Sequence, residues 1–302
     1  MGKNQPFKRN HRVPEFYLRR WNQPLGLRLW ARGEPAPSQR MSPSNFTVAD
    51  DFYVTREDGV RNTFLEEWFS REVETPASKI LSELDDGDIK FTADTMLTLV
   101  RFLTAQAYRT EPALATLNSP IWARMAERYA PITTLTHGGN PVAAGRSLKS
   151  WAQELGRLAL VRNLDFTGAY QSSAYRVHNS RWRLFRFSQP ALITSDDPVS
   201  IQFDAVPQLP LTDFLGASFW YMPLSPTLAA VMYPDRDPRH VDQGLVTDLR
   251  IPQLLNMLTI RNPGAATFVG FEGMDEASLA PYISGERRPP KVDLTYREPF
   301  GV

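Results

Sequence analysis

The sequence predicts an α+β fold, with helices mostly in the N-terminal half packed on a mixed or antiparallel sheet that comes mostly from the C-terminal half. Helical apolar spacing dominates from about residue 62 to 158, and short β-branched and aromatic runs dominate after about residue 165. The 302 residues are 42% hydrophobic and 22% charged, enough to bury a sizeable core. We therefore expect a single domain over residues 1–302, with a flexible tail over about 285–302.

The first elements are short. Val13-Pro14 opens a predicted helix whose apolar face ends at Trp21, because proline suits the first helical position. Alternating apolar residues predict a strand over 27–31, and residues 51–54 form a second predicted strand.

Longer elements follow. Apolar residues at helical spacing predict helices at about 62–84, 93–108, 119–129 and 148–158. Beyond them, β-branched and aromatic runs bounded by turn residues predict strands at 182–187, 191–194, 218–222, 228–233 and 266–271, with one more helix at about 253–260.

Composition excludes several classes of chemistry. The absence of cysteine excludes disulfides, thiolate zinc sites, iron–sulfur clusters and cysteine nucleophiles. Motifs for P-loops, Rossmann cofactor binding, zinc peptidases, the common serine hydrolases and EF-hands are also missing. No apolar run approaches the roughly 18 residues of a membrane span, and the first residues lack the apolar core of a signal peptide. We therefore expect a cytoplasmic protein without a membrane partner.

His11 and the pair Glu67 and Glu74, at or near predicted helices, have two interpretations each. His11 precedes the first predicted helix, where an imidazole binds a metal, phosphate or carboxylate, or else caps and packs. Glu67 and Glu74 are seven residues apart on one predicted helix and so share a face. They either share a divalent cation or form a salt-bridge ladder with Arg71 between them.

Two further groups of polar residues follow apolar segments. Gln106 continues the apolar stripe of the second long helix, so we expect its amide to be buried and hydrogen-bonded. Arg109 beside it either grips a carboxylate or phosphate or compensates the helix dipole. Asp196 and Asp197 directly follow an apolar strand, where they either face a cation or an arginine or form a capping turn.

Taken together and in this order, these positions resemble the family catalogued as domain of unknown function 4238. The resemblance covers nearly the whole chain and implies one domain with one candidate cluster, but it implies no particular reaction. At position 197 it implies Asn where this chain has Asp. The matching segments are His11-x-Val13-Pro14-x-Phe16-Tyr17-Leu18-Arg19, Asp51-Phe52-Tyr53, Glu67 with Glu74, Gln106-x-x-Arg109-Thr110, Thr194-Ser195-Asp196-Asp197-Pro198-Val199, Met222-Pro223-Leu224-Ser225-Pro226 and Asn256.

The leading functional hypothesis is a metal-assisted hydrolase of a phosphodiester, similar in chemistry to a nuclease. Three carboxylates would hold Mg²⁺ or Mn²⁺, which polarises a phosphoryl oxygen and activates water: Glu67, Glu74 and Asp196. His11 would transfer a proton, Gln106 would orient the phosphate and Arg109 would clamp it.

Two alternatives stay open. One is a non-enzymatic binding or regulatory protein, in which His11 and Arg109 grip an anionic small molecule or a nucleic acid. Basic stretches at 1–40 and 101–190 either form a positive groove for phosphates or pair with the acidic stretches between them. The other alternative is a buried polar network that only maintains the fold.

Overall fold

The computed structural model confirms the α+β class within the residues that it describes. Two predicted helices, at 119–129 and 148–158, lie outside those residues. The described ranges are 9–57, 60–87, 91–110, 177–203, 217–234, 241–248 and 250–292.

The strands in these ranges, numbered in chain order, are β1 (Arg9–His11), β2 (Leu27–Ala31), β3 (Gln39–Met41), β4 (Val48–Asp50), β5 (Thr55–Glu57), β6 (Val60–Asn62), β7 (Ser180–Arg186), β8 (Thr194–Ser195), β9 (Ser200–Phe203), β10 (Ala217–Ser225), β11 (Leu228–Pro234), β12 (Val241–Leu245) and β13 (Thr267–Gly270).

The helices in the same ranges are α1 (Glu15–Leu18), which continues as a 3₁₀ turn over Arg19–Trp21, α2 (Phe64–Trp68), α3 (Thr75–Asp86), α4 (Ala93–Tyr108), α5 (Arg250–Arg261) and α6 (Glu276–Ile283). A π-helical segment, Phe69–Glu74, joins α2 to α3 without a break. None of these helices combines the length and the apolar character that spanning a bilayer requires.

The strands form two main sheets. The larger sheet has the order β12-β7-β11-β10-β9, and all of its neighbours are antiparallel except the parallel pair β12 and β7. The smaller sheet has the order β3-β2-β13-β8 and is antiparallel throughout. It combines strands from both ends of the chain, which the sequence pattern did not predict. Two short antiparallel ribbons, β1 with β4 and β5 with β6, complete the pairing in the described ranges.

The larger sheet is buried on both faces. One face, which includes Trp182 and Met222, packs in the same cluster as the apolar sides of α3 and α4. The other face, which includes Phe185 and Tyr221, packs in a second cluster with α5 and α6. Because successive side chains of a strand point to opposite faces, runs such as β7 supply both clusters.

One prediction about local structure needs correction. Residues 51–53 form a turn, and β4 ends just before them. Asp51 has a φ of 52°, which an extended strand cannot contain. Within the predicted tail over about 285–302, Pro290 O accepts a hydrogen bond from Arg261 in α5 (2.8 Å) and Val292 is buried. Residues 293–302 lie outside the described ranges.

Candidate functional site

A polar cavity of about 300 Å³ lies where β1, α1, the α2–π–α3 helix and the C-terminal end of α4 meet. The strand β1 contributes three consecutive residues to its wall, Arg9, Asn10 and His11. The other lining side chains come from α1, the turn after β4, the helix that contains the π segment, and the end of α4: Glu15, Phe16, Tyr53, Glu66, Phe69, Ser70, Glu74 and Arg109.

Arg109 is the most constrained of these side chains. It is 2% exposed, and its guanidinium donates three hydrogen bonds to three different parts of the chain. Nε donates to the Tyr53 hydroxyl (2.9 Å), Nη1 to Glu74 Oε1 (2.6 Å) and Nη2 to the main-chain oxygen of His11 (2.8 Å). The guanidinium carbon also lies 4.4 Å from the centre of the Phe69 ring, within range of a cation–π interaction.

The surroundings of Arg109 keep it charged. Burial lowers the pKa of Arg109, but charge interactions and hydrogen bonds with Tyr53 and Glu74 outweigh that effect, so the pKa lies above its ordinary value. Burial also raises the pKa of Tyr53, which keeps its hydroxyl protonated. The pocket therefore contains a permanent, desolvated cation.

The helix α4 places Arg109 at this point. Its first turn is capped by Thr92, whose side chain accepts a hydrogen bond from the backbone N–H of Thr95. The helix ends at Tyr108, and Arg109 occupies the C-cap, where its backbone N–H bonds to Ala105 O (3.0 Å). A cation is favoured at a helix C-terminus, so the dipole interpretation of Arg109 and its position in the pocket are compatible.

The π-helical segment decides which glutamates face the pocket. A π turn contains more residues than an α turn, which shifts the side chains that follow it around the helix axis. Glu66, Ser70 and Glu74, spaced by four, line the cavity. Glu67 is instead exposed and accepts a hydrogen bond from the Thr63 hydroxyl (2.6 Å). The structure therefore does not bring Glu67 to the pocket beside Glu74.

Asp196 binds the backbone of the smaller sheet. Its Oδ1 accepts hydrogen bonds from the backbone N–H groups of Ala266 (2.9 Å) and Thr267 (3.0 Å), which links the end of β8 to the start of β13. Burial raises the pKa of Asp196, although these backbone bonds oppose the shift. Asp196 is not among the residues that line the pocket.

Gln106 is 1% exposed, as its position on the apolar stripe predicts. Among the described residues, neither the Nε2 nor the Oε1 atom of Gln106 has a hydrogen-bond partner, so the hydrogen bonds that we predicted for its amide are not found in that part of the chain. It does not line the pocket either. Of the six predicted site residues, the cavity brings together His11, Glu74 and Arg109.

The three predicted metal ligands lie in three different places. Glu67 is exposed on a helix, Glu74 lies on the pocket wall and Asp196 directly follows β8. Within the described part of the chain, no group of three or more His, Asp or Glu side chains is arranged to hold a metal ion.

A protein-family model described as Protein of unknown function (DUF4238) matches residues 9–269. The chain belongs to the DUF4238 family. The DUF4238 match includes all the residues that line the pocket, from Arg9 to Arg109. No curated protein and no solved structure matches the chain.

Sequence reasoning missed several pocket residues of this DUF4238 member, above all Asn10 and Glu66. Asn10 is 2% exposed, and its Oδ1 accepts a hydrogen bond from the backbone N–H of Tyr53 (3.4 Å). Three consecutive polar residues on β1, two positions before Val13, were a usable signal for Asn10. Glu66 had no comparable signal, because regular α-helical spacing pairs Glu67 with Glu74.

Proposed function

We propose that the pocket binds a small ligand that carries an anionic group, a carboxylate or a phosphate. The observation that supports this proposal is the position of Arg109, a buried guanidinium on the wall of a cavity of about 300 Å³. Guanidinium groups form short, strong hydrogen bonds to carboxylates and phosphates, and those bonds are stronger where water is excluded.

Arg109 retains donors for such a ligand. A guanidinium has five N–H groups, and described residues accept hydrogen bonds from three of them. Among the described residues, one N–H on each of Nη1 and Nη2 has no acceptor, and these two groups are the donors that we assign to a ligand oxygen. The rings of Tyr53 and Phe69, 5.1 and 4.4 Å from the guanidinium carbon, shield it from solvent.

Two further groups on β1 support an anionic ligand. Arg9 lines the cavity and is exposed, so its charge is accessible to a ligand that enters from solvent. The His11 imidazole also lines the cavity, and its Nε2 lies 3.2 Å from Ser44 O. Together with Arg109, these side chains place three nitrogen-bearing groups around one cavity.

A divalent-metal-dependent hydrolase of phosphodiesters is the second candidate. It rests on Glu74, the one predicted metal ligand among the lining residues, with His11 and Arg109 nearby on the wall. In this function Mg²⁺ or Mn²⁺ would bind before the substrate, so a divalent cation alone would stabilise the protein.

Calorimetric titration and thermal melts of the full chain test both candidates. With chelator present, we expect inorganic phosphate or acetate to bind and to raise the melting temperature, since a ligand that binds only the folded state stabilises it by mass action. Arg9→Gln should weaken binding several-fold without a loss of stability, because Arg9 is exposed. Arg250→Gln is the matched control, an exposed arginine that is not in the lining set.

Two results would redirect the assignment. Equal anion affinity in the original chain, Arg9→Gln and Arg109→Lys would overturn the anion proposal. A melting temperature that rises with Mg²⁺ or Mn²⁺ alone, and does not rise in Glu74→Gln, would favour the hydrolase.

A further inference from the structure

The side chain of Asn10 is a buried hydrogen-bond donor on the pocket wall. It is 2% exposed, and its Oδ1 already accepts from the backbone N–H of Tyr53. Among the described residues, its Nδ2 has no hydrogen-bond partner. A buried donor without an acceptor carries a desolvation cost that a ligand oxygen would remove. The Asn10 amide is therefore suited to donate a hydrogen bond to an oxygen of the ligand at β1.

The wall beside Arg109 also carries carboxylates. Glu66 and Glu74 line the cavity from the helix that contains the π segment, with Ser70 between them. π segments inside α-helices are frequent at functional sites. Glu74 is held in place by its 2.6 Å bond to Arg109. Carboxylates accept hydrogen bonds and attract positive charge, so this part of the wall suits a protonated nitrogen of the ligand.

The described part of the lining presents both signs of charge. It contains two arginines, Arg9 and Arg109, and three glutamates, Glu15, Glu66 and Glu74. Glu74 lies 2.6 Å from Arg109, so a ligand with negative charge alone that binds Arg109 would be repelled by Glu74. A ligand with both charges meets a complementary group for each charge at this pair. The cavity volume of about 300 Å³ is at the small end of the range for ligand pockets, which favours a molecule of amino-acid size.

We infer that the ligand is a small zwitterion, with a carboxylate or phosphate bound by Asn10 and Arg109 and a protonated amine bound by Glu66 and Glu74. The inference rests on the proposed anion-binding function and adds the amine to it.

The test compares matched probes by calorimetric titration of the full chain in chelator. The panel contains the twenty amino acids and phosphoethanolamine, with inorganic phosphate and acetate as simple anions. For the tightest amino acid, the N-acetyl derivative removes the amine charge and the methyl ester removes the carboxylate charge. Ethyl phosphate and ethanolamine play the same roles for phosphoethanolamine. We expect each change to weaken binding at least tenfold.

The outcomes separate the two proposals. If the N-acetyl derivative or ethyl phosphate binds as tightly as its parent, or if only simple anions bind, the zwitterion inference fails and the anion proposal stands. If the ester or ethanolamine binds as tightly as its parent, the anion proposal fails. If no probe binds, both fail.

Variants locate the two charges. Glu66→Gln should reduce the preference for the amine over its N-acetyl derivative about tenfold, whereas Glu72→Gln, on the same helical segment but outside the lining, should leave that preference unchanged. Asn10→Asp places a negative charge near the ligand anion and should weaken the parent and its N-acetyl derivative alike. Thermal melts of each variant establish that it is folded. Equal preference in Glu66→Gln and the original chain, with Asn10→Asp binding normally, would overturn the inference.

Discussion

Arg109 Nη1 lies 2.6 Å from Glu74 Oε1, and the pair connects the end of α4 to the end of the π-helical segment. The Arg109 side chain is 3% exposed and the Glu74 side chain 27%, so the carboxylate reaches the pocket while the guanidinium is enclosed. The ion pair therefore belongs both to the framework of the fold and to the wall of the candidate site.

Removal of Glu74 should be costly because it leaves the enclosed guanidinium without its counter-ion. We expect Glu74→Ala to lower the free energy of unfolding by roughly 3 to 5 kcal/mol, and Glu74→Gln to lower it less because the amide oxygen still accepts a hydrogen bond. Urea unfolding near neutral pH measures both. Glu72→Ala, which removes an exposed pair with Arg71, is the control and should change stability by less than about 1 kcal/mol. A loss that small in Glu74→Ala would contradict the prediction.

Asp196 should stabilise the protein through the backbone of β13. Asp196→Ala removes the acceptor for the N–H groups of Ala266 and Thr267, so we expect a loss of roughly 1 to 3 kcal/mol in chelator. Asp196→Asn retains an oxygen and should lose less. Chemical denaturation of both variants in chelator measures the effect. Unchanged or higher stability of Asp196→Ala under those conditions would show that these hydrogen bonds contribute nothing.

Asp197 should make stability depend on pH. Burial, followed by the charge of Asp196, raises the pKa of Asp197 to about 7, whereas an unfolded Asp has a pKa of about 3.9. Between these values the folded state binds more protons than the unfolded state, so stability falls as pH rises from about 4 to 7 and the loss is complete above pH 7. At about 1.4 kcal/mol per pKa unit, the loss is on the order of 4 kcal/mol.

Asp197→Asn isolates this contribution because it removes the titrating group. Relative to the variant, the original chain should lose stability between about pH 4 and pH 7 in urea unfolding. A constant difference between the two proteins across that range would show that Asp197 does not titrate with a raised pKa.

Gln106 should be a site of stabilising substitution. Its amide is buried, without a hydrogen-bond partner among the described residues, so Gln106→Leu removes a desolvation cost at similar side-chain volume. We expect the free energy of unfolding to rise by roughly 1 to 3 kcal/mol. Urea unfolding measures it, with the exposed Gln243→Leu as a control near zero. Destabilisation by Gln106→Leu would reveal an acceptor or donor elsewhere in the chain.

Apolar periodicity predicted the fold class, and it predicted individual elements best where an element has one buried face. The helix predicted at 93–108 is α4, and the strand at 27–31 is β2. Burial of Gln106 followed from the same periodicity. The pairing of β2 with β13 did not follow, because the two strands are separated by more than 200 residues and neither sequence encodes its partner.

Hydrophobic spacing and residue chemistry are local properties, so the amino-acid sequence was enough to predict the fold class, the type of several elements and the polar residues available for a site. Which of those residues meet depends on packing between elements that are distant in the chain. The π segment turned Glu66 rather than Glu67 toward the cavity, since one wider turn shifts the side chains around the helix axis. Packing of α4 against the π segment placed Arg109 beside Glu74, and Arg109 also bonds to His11 O in β1. Asp196 instead accepts hydrogen bonds from backbone N–H groups of β13 and does not line the cavity.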